Sequence, residues 1–480
     1  MAENALGRHL ALAGFMGAGK TTLGRDVARR LGRPFVDLDQ EIEREAGTTI
    51  EEIFARDGEL GFRVIEAGIA ASMLDRPEPS VIALGGGAVL STDTRELLGR
   101  RAFTVLLEID PETAWMRARE SRRPLAIDHE SFHALYRERL PVYEEVADAQ
   151  AKAHDTDGVV LAAAAIDVRI GAIDLLEELV PGKSAVEIVS DANVAGIHGV
   201  TAQLALGDRD IALHEVPPGE AAKAIAVLER LWRALRIGRD GTVVGLGGGC
   251  TTDLAGFAAA TYMRGVPWVA VPTTLVGQVD AAIGGKTAVD LPGGKNLIGA
   301  FHWPARVVID PGMLETLPEL ELRNGMAEAV KTGLLMGQSV WDLSLAELVR
   351  RCAAFKAAVC IADPHDRGPR NQLNLGHTFG HALEAAAGYD LPHGQAVALG
   401  MVAALRLSGN DAALAAVREQ LDPQPVKVDR ELAWAALARD KKNVAGAPRL
   451  VLLERNGEPT WGNERPAAEI RAALDDLIVD

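Results

Sequence analysis

Apolar and polar residues follow two regimes along this chain. Twice, an apolar strand pattern runs into a glycine-rich turn and then into a helical pattern. The first instance is His9-Leu-Ala-Leu-Ala-Gly14 ahead of Gly17-Ala-Gly-Lys-Thr21; the second is Thr242-Val-Val-Gly-Leu246 ahead of Gly247-Gly-Gly-Cys-Thr-Thr-Asp253. Recurrent strand–turn–helix units predict an α/β architecture with parallel sheets. Up to about residue 150, short apolar runs at 81–84 and 103–109 alternate with amphipathic segments such as 22–31 and 40–46. From about residue 315 strand patterns become scarce, and helical periodicity dominates 320–335 and 345–361. Turn-forming residues cluster at 155–158 and 181–183, which places a domain boundary near residue 165. The expected division is 1–165 followed by 166–480. The second region comprises an α/β part over 166–312 and a mainly α-helical part over 313–480.

Composition narrows the function classes. Hydrophobic residues make up 48% of 480 residues and charged residues 24%, so more than one core can be buried and a mainly disordered chain is excluded. The net charge of −17 leaves no global basic footprint for nucleic acid, and anionic ligands would need local cationic pockets. The longest apolar run, 159–166, falls well short of the ~20 residues of a membrane span. Three cysteines in no metal or disulfide spacing, and an N-terminus without a basic flank, predict a cytoplasmic protein. The 50 basic residues are 39 Arg and 11 Lys. Arginine thus supplies the ordinary surface charge, and the scarce lysines, compact cations suited to phosphate, are the ones to locate.

Gly14-Phe-Met-Gly-Ala-Gly19-Lys20-Thr21 fits G-x-x-x-x-G-K-[ST] between a strand and a helix. Such a loop turns backbone N–H groups toward a phosphate; Lys20 reaches the β- and γ-phosphates and the Thr21 hydroxyl holds Mg2+. Gly17, Ala18, Gly19, Lys20, Thr21 and Thr22 are the candidate nucleotide-binding stretch. Asp37 and Asp39 follow an apolar strand end, where alternate residues point to opposite faces. One carboxylate suits Mg2+ and the other an acceptor hydroxyl; the competing reading makes Asp39 the N-cap of helix 40–46.

Further along stand Phe62-Arg63-x-x-Glu66, Gly85-Gly86-Gly87, Arg123-Pro124-Leu125 and Arg139-Leu-Pro-Val-Tyr143, in that order. With the phosphate loop they make residues 5–160 resemble shikimate kinase. A gluconate- or nucleotide-kinase reading accounts for the loop but not for these later motifs. The resemblance implies ATP with Mg2+ at Asp37, and Asp39 as the residue that binds the acceptor hydroxyl and serves as base. It also implies that Arg63, Arg139, Gly85, Gly86 and Gly87 hold shikimate. Arg123 would be a lid residue over the phosphates, and Arg117 would lie near the adenine.

The second glycine turn, Gly247-Gly-Gly249 with Asp253 behind it, also lets backbone approach an anion. Pro272-Thr273-Thr274 follows a strand pattern. Lys286 and Lys295 stand in glycine-rich loops near Asp280, which suggests a second phosphate site. Glu328 and Lys331 share a helix face by their i, i+3 spacing, as do His377 and His381 at i, i+4, and His393 opens the next helical stretch. Two histidines and a glutamate with open coordination positions are a catalytic zinc pattern.

From about residue 166 to the end the chain resembles 3-dehydroquinate synthase. The match includes Ser190-Asp191-Ala-Asn193, Gly219-Glu220-x-x-Lys223, Tyr262-Met-Arg264-Gly, Ala327-Glu328-x-x-Lys331, Asn374-Leu-Gly-His377-x-x-Gly-His381, His393-Gly394 and Asp440-Lys-Lys442. The resemblance implies that Glu328, His377 and His393 bind Zn2+ (or Co2+), and that His381 serves proton transfer and phosphate contact. It implies NAD+ at Asp191, Asn193, Glu220, Lys223, Gly248, Gly249, Cys250, Asp253, Thr273, Thr274, Lys295 and Thr316. Substrate, a heptulosonate phosphate, would meet Asp280, Lys286, Asn296, Lys331, Lys356, Arg370, Asn374 and one of Lys441 and Lys442. Arg264 would reach the site from the partner of a homodimer formed through this region.

Taken together, the two resemblances imply one polypeptide with two activities of aromatic-precursor synthesis. One is ATP-dependent phosphorylation of shikimate to shikimate 3-phosphate. The other is NAD- and zinc-dependent cyclisation of 3-deoxy-D-arabino-heptulosonate 7-phosphate to 3-dehydroquinate with release of phosphate. No nucleic-acid or membrane partner is expected. The chain departs from the synthase pattern at Cys250, where valine is usual, at Asp366 and Gln395, where glutamate is usual, and in a compressed opening strand pair that raises strand sharing with the first domain. Loss of a carboxylate at 395 would act on zinc through the ligands' surroundings. The rival readings are a P-loop small-molecule kinase fused to another sugar-phosphate cyclase or to an NAD- and metal-using alcohol dehydrogenase, and a non-catalytic regulatory remnant in either half.

Overall fold

The computed structural model describes residues 4–120, 128–292, 294–438 and 448–479. Arg123, Lys441 and Lys442 lie outside the described residues. The chain forms two compact units, one of residues 4–166 with 357–362 and one of 167–356 and 363–479.

The first unit is a five-stranded parallel sheet of β1 (His9–Ala13), β2 (Phe35–Asp37), β3 (Val81–Ala83), β4 (Ala102–Glu108) and β5 (Ala149–Lys152), in the order β2-β3-β1-β4-β5. Every residue of β1 is buried, as its unbroken apolar run requires in a sheet covered on both faces. Parallel strands bring their C-terminal ends to one edge. Residues 14–19 leave β1 there, Asp37 ends β2, and Gly85–Gly87 follow β3. The strand order reverses at this edge, the usual position for a ligand in an open α/β sheet.

Two helices begin earlier than periodicity predicts. Lys20–Leu31 starts directly at Gly19, whose φ of 79° closes the loop, so its first turn is polar and carries no hydrophobic signal. Leu38–Ala46 is capped by Asp37, which accepts from the backbone N–H of Asp39 at 3.1 Å and of Gln40 at 3.3 Å. Asp39 is therefore not the cap.

The second unit holds a six-stranded sheet of β6 (Ile166–Val168), β7 (Val186–Asp191), β8 (Ile211–Val216), β9 (Thr242–Gly247), β10 (Trp268–Pro272) and β13 (Arg306–Ile309), with a hairpin of β11 (Lys286–Leu291) and β12 (Gly294–Phe301) between β10 and β13 in the chain. The order is β6-β13-β10-β9-β7-β8, and β7–β10 and β13 run parallel. β5 and β6 belong to different sheets, so among the described residues no strand is shared between the two.

Beyond residue 315 the chain is mainly helical, with Glu319–Met336, Leu345–Ala362, His377–Ala386 and His393–Ser408 as its larger helices. A late hairpin, β14 (Leu450–Leu453) with β15 (Pro459–Asn463), departs from the strand-poor expectation. Its Leu450-Val-Leu-Leu453 run is fully buried in one core with Phe379, Leu383, Met401, Leu405 and Leu474. A four-residue apolar run reads equally well as helix or strand, and only its surroundings decide.

Helices His377–Ala386 and His393–Ser408 cross backbone to backbone. A Cβ added at Gly400 would lie 1.9 Å from the carbonyl oxygen of Gly376, and one at Gly380 would lie 2.9 Å from that of Ala396. This contact brings the N-terminal turns of both helices, and their histidines, together. Gly400→Ala is expected to destabilise the second unit by about 3 kcal/mol or more, because the clash is with backbone that cannot rotate away. Calorimetry against the unmodified chain would show this as a lowered unfolding midpoint.

Candidate active sites

In the first unit Lys20 Nζ folds back onto its own loop, donating to the carbonyls of Gly14 at 2.7 Å and Phe15 at 3.1 Å. The Thr21 hydroxyl donates to Asp37 Oδ2 at 2.6 Å, which puts the two expected Mg2+ ligands side by side. Arg117, on helix Pro111–Glu120, reaches the same loop and donates to Gly17 O at 3.3 Å. Ala18 is buried inside the loop, while Thr22 is exposed on the first helical turn. His154 completes the surround: its ring comes within 3.2 Å of where a Gly19 Cβ would stand, and its φ is 69°. Sequence reasoning missed His154, since nothing in its neighbourhood announces left-handed backbone at a histidine.

A cavity of about 80 Å3 opens beside this loop, lined by Asp39, Arg63, Glu66, Arg139 and the Gly86–Gly87 turn, with Met16, Phe54 and Phe62 as apolar walls. Gly85 leaves room for the acids: a Cβ there would lie 2.9 Å from Asp39 Oδ1 and 2.6 Å from Glu66 Oε1. A Cβ on Gly87 would run into the Arg63 guanidinium. Arg139 and the Tyr143 hydroxyl both donate to Gly86 O, which holds the turn in place. Glu66 is 3% exposed and pairs with Arg63 at 2.5 Å. Burial raises its carboxyl above the usual range, against the pull of Arg63. Glu66 belongs in the site although only Arg63 was picked from its motif; their i, i+3 spacing was the available signal.

In the second unit all twelve residues expected at the dinucleotide line one cavity of about 930 Å3. Asp191 ends β7 and accepts from the backbone N–H of Asn193 and Val194. Gly248 and Gly249 open helix Gly249–Thr261, and Cβ atoms there would sit 3.1 Å from Thr274 and 3.0 Å from Ala281, so the cradle leaves little room for a side chain. Lys223 donates to Asp253 at 2.8 Å and to Asn296, with Glu220 at 3.6 Å. Burial works against the Lys223 ammonium, but Asp253 and Glu220 outweigh it and raise its pKa. Lys295 pairs with Glu220 at 3.0 Å.

A second cavity of about 410 Å3 shares Asp253, Asp280, Ala281 and Asn296 with the first and adds Lys286, Lys356 and Arg370. Lys356 donates to both the carbonyl and the carboxylate of Asp280 at 2.6 Å. Lys286 pairs with Asp366, and Arg370 donates to Gly284 O at 2.9 Å. Asn374 lines neither cavity and donates to Asn371 O at 3.1 Å. Arg264 is exposed and also lies outside both linings.

Beneath the large cavity, Glu328 Oε1 faces His377 Nε2 at 3.6 Å and His393 Nε2 at 3.4 Å. One donor atom from each of the three falls within 4.8 Å of the others. Glu328 has no exposed surface, and among the described residues neither carboxylate oxygen has a well-formed hydrogen bond, although Lys331 stands against it as a buried counter-ion. Buried carboxylate oxygens left in this state suit a cation between the three side chains. Burial pushes the His377 imidazole well below its ordinary pKa, keeping it neutral and able to ligate. His393 is raised to about 10 by Glu328 and Glu384 against burial, so a metal would displace a proton there. His381 sits one turn beyond His377, 5.3 Å between ring centroids, and lines the large cavity rather than the ligand cluster.

The expectation about residue 395 needs correcting. Gln395 turns away, its amide 3.5 Å from Gln424 O, and the carboxylate beside His393 is Glu384, with Oε1 3.3 Å from Nδ1. Glu384 follows His381 at i+3 on the same helix, a spacing the sequence displays.

These two constellations match known families. Residues 16–167 fit the model for shikimate kinase, 213–324 that for the 3-dehydroquinate synthase N-terminal domain, and 325–443 that for its C-terminal domain. A bifunctional shikimate kinase/3-dehydroquinate synthase from Thermotoga maritima is 33% identical over 416 residues, 81% of this chain and 82% of that protein. The chain belongs to this bifunctional family. It is an enzyme with two activities, shikimate kinase and 3-dehydroquinate synthase. The synthase half is also 39% identical to 3-dehydroquinate synthase from Latilactobacillus sakei, over 57% of this chain and 84% of that protein. Among solved structures, 2-epi-5-epi-valiolone synthase from Streptomyces hygroscopicus with NAD+ and Zn2+ bound superposes with a TM-score of 0.58 at 29% identity, covering 65% of this chain and 96% of that one.

Two outcomes are expected at the synthase site. Glu384→Gln should weaken metal binding about 10–100-fold by loosening the His393 ring, measured by competition with a chelator, and leave shikimate phosphorylation unchanged. Burial and the Glu220 carboxylate push the Cys250 thiol up to about 12. Alkylation of Cys250 by iodoacetamide at pH 8, followed by peptide mass spectrometry, should therefore run roughly a thousandfold slower than for a free thiol, because thiolate is the reactive form.

Proposed function

We propose that each activity is carried by its own residue set. In the kinase, Lys20 takes the nucleotide phosphates, with Arg123 as the further lid cation and Arg117 near the adenine. Thr21 and Asp37 would hold Mg2+, which supplies charge neutralisation between the phosphates. Asp39 orients the shikimate hydroxyl and accepts its proton. Arg63 and Arg139 fork the substrate carboxylate, and Glu66 holds the Arg63 guanidinium in position.

In the synthase, Glu328, His377 and His393 would hold Zn2+ or Co2+, and the glycine cradle with Asp191, Lys223 and Asp253 would hold NAD+. The metal supplies Lewis-acid polarisation of a substrate oxygen, and the dinucleotide a reversible hydride acceptor. Lys286, Lys356, Arg370 and Asn296 bind the heptulosonate phosphate, and His381 moves a proton beside the leaving phosphate. The observation that carries this reading is a pair of cavities sharing Asp253, Asp280, Ala281 and Asn296, one with the glycine cradle and the other with the cations, beside a buried carboxylate that pairs with Lys331 and faces two imidazoles.

Arg264 belongs, on this reading, to a partner subunit's site in a homodimer formed through the synthase half. Met263 and Arg264 keep left-handed backbone at φ 50° and 70°, strain of about 1–3 kcal/mol each that is commonly stored at functional positions. The enzyme is placed in the cytoplasm, where Cys250, Cys352 and Cys360 stay as thiols. No helix of the described residues is long and apolar enough to cross a membrane.

Separate variants test the division. Lys20→Ala should lower shikimate phosphorylation by at least about 100-fold and spare phosphate release from the heptulosonate phosphate. Glu328→Gln should do the reverse. In metal-stripped enzyme, phosphate release should require NAD+ and Zn2+ together with no net NADH. Accumulating NADH would mark a dehydrogenase instead, and loss of both activities from either folded variant would defeat the two-set assignment.

A further inference from the structure

The kinase unit carries a second group of metal-ligand type, made of three residues to which no role has been assigned above. Helix Pro111–Glu120 contributes Glu112, and helix His129–Val146 contributes His129 and His133, one turn apart. Glu112 Oε2 lies 2.9 Å from His129 Nε2 and 3.4 Å from His133 Nε2, and the two rings stand 4.3 Å apart between centroids. One donor atom from each side chain falls within 4.8 Å of the others. We propose that Glu112, His129 and His133 form a binding site for a borderline transition-metal cation of the Zn2+ class.

Exposed carboxylates beside histidines are common, and the His129–Glu112 hydrogen bond alone would be an ordinary surface pair. The deciding feature is His133. Its Nε2 is buried and, among the described residues, has no hydrogen-bond partner, although it faces the shared carboxylate oxygen at 3.4 Å. An imidazole nitrogen sealed in this way has lost water and gained nothing, and a cation held between the three donors would satisfy it. Glu112 and His129 are half exposed, so an ion can enter from solvent. Two imidazoles and one carboxylate leave a coordination position for water and favour Zn2+, Ni2+ or Cu2+ over Mg2+, which prefers oxygen donors. The kinase's own Mg2+ would therefore not compete.

The site also has a built-in reporter. The Trp115 ring stands edge-on to His129 at 5.7 Å and to Phe132 at 5.2 Å, and Phe132 packs on Phe15 of the phosphate loop at 5.0 Å. A bound ion would join the helix carrying Arg117 to the helix carrying Arg139 through these contacts.

The test uses the full chain, without nucleotide and in excess Mg2+, dialysed against micromolar free Zn2+. Two Zn2+ per chain are expected for the unmodified enzyme and one for His133→Ala. Glu328→Gln should retain one, and Glu328→Gln combined with His133→Ala none, which separates this site from the synthase metal. Cu2+ should quench a fluorescence component that Trp115→Phe removes. Should His133→Ala fail to fold, His129→Ala at the exposed position carries the same expectation. A single equivalent in the unmodified enzyme, a second equivalent unchanged in the histidine variants, or displacement by Mg2+ would overturn the proposal.

Discussion

A carboxylate with no exposed surface must find compensating charge, and the synthase half is organised around one. Removing Glu328 from water costs several kcal/mol if it stays ionised. Lys331 answers part of that charge from the same helix, and His377 and His393 face the rest from two others. Three helices must therefore meet at one point. They can meet only because Gly376, Gly380 and Gly400 let two of them touch backbone to backbone. The packing constraint and the electrostatic one have the same solution: the crossing that leaves no room for a Cβ also aims two imidazoles at a buried anion.

Both units use parallel strands in the same way. A parallel sheet gathers the positive ends of its following helices along one edge, and an anion bound there meets backbone N–H groups without any charged side chain. Gly19 and Gly248 stand at the equivalent position of their units, each ending a loop and starting a helix. The residues with chemistry differ because the loops around that edge differ. In the first unit the strand ends supply Asp37, Asp39 and the Gly85–Gly87 turn. In the second they supply Asp191 and Thr273–Thr274, with a helical region added beyond them.

The sequence made legible whatever depends on local order. Strand, turn and helix around both glycine loops could be read because the period changes from two to 3.6 across a few residues. The site residues could be read where a motif holds them at helical spacing, as at Glu328 and Lys331. Long-range geometry was not legible. That Asp37, and not Asp39, caps its helix depends on how the chain leaves β2. That Glu384 serves His393 while Gln395 turns outward depends on the crossing of two helices, and a comparison of single positions directed attention to the wrong one. His154 reaches Gly19 only through a left-handed turn after β5, which no side-chain pattern encodes.

The remaining problem is how a chain with a net charge of −17 binds anionic substrates. It does so with few lysines, each held by an acid or a carbonyl: Lys20 by Gly14 and Phe15, Lys223 by Asp253, Lys295 by Glu220, Lys286 by Asp366, and Lys356 by Asp280. These partners hold long, flexible ammonium side chains in one place, so less rotamer entropy is lost when a ligand arrives. They also keep a buried lysine such as Lys223 charged, where burial alone would lower its pKa. Their presence makes phosphate binding an exchange of one anion for another. The net gain is smaller than for a bare cation pocket, which allows a released phosphate to leave. An enzyme that must grip a phosphate ester and then let inorganic phosphate go is better served by paired lysines than by free ones.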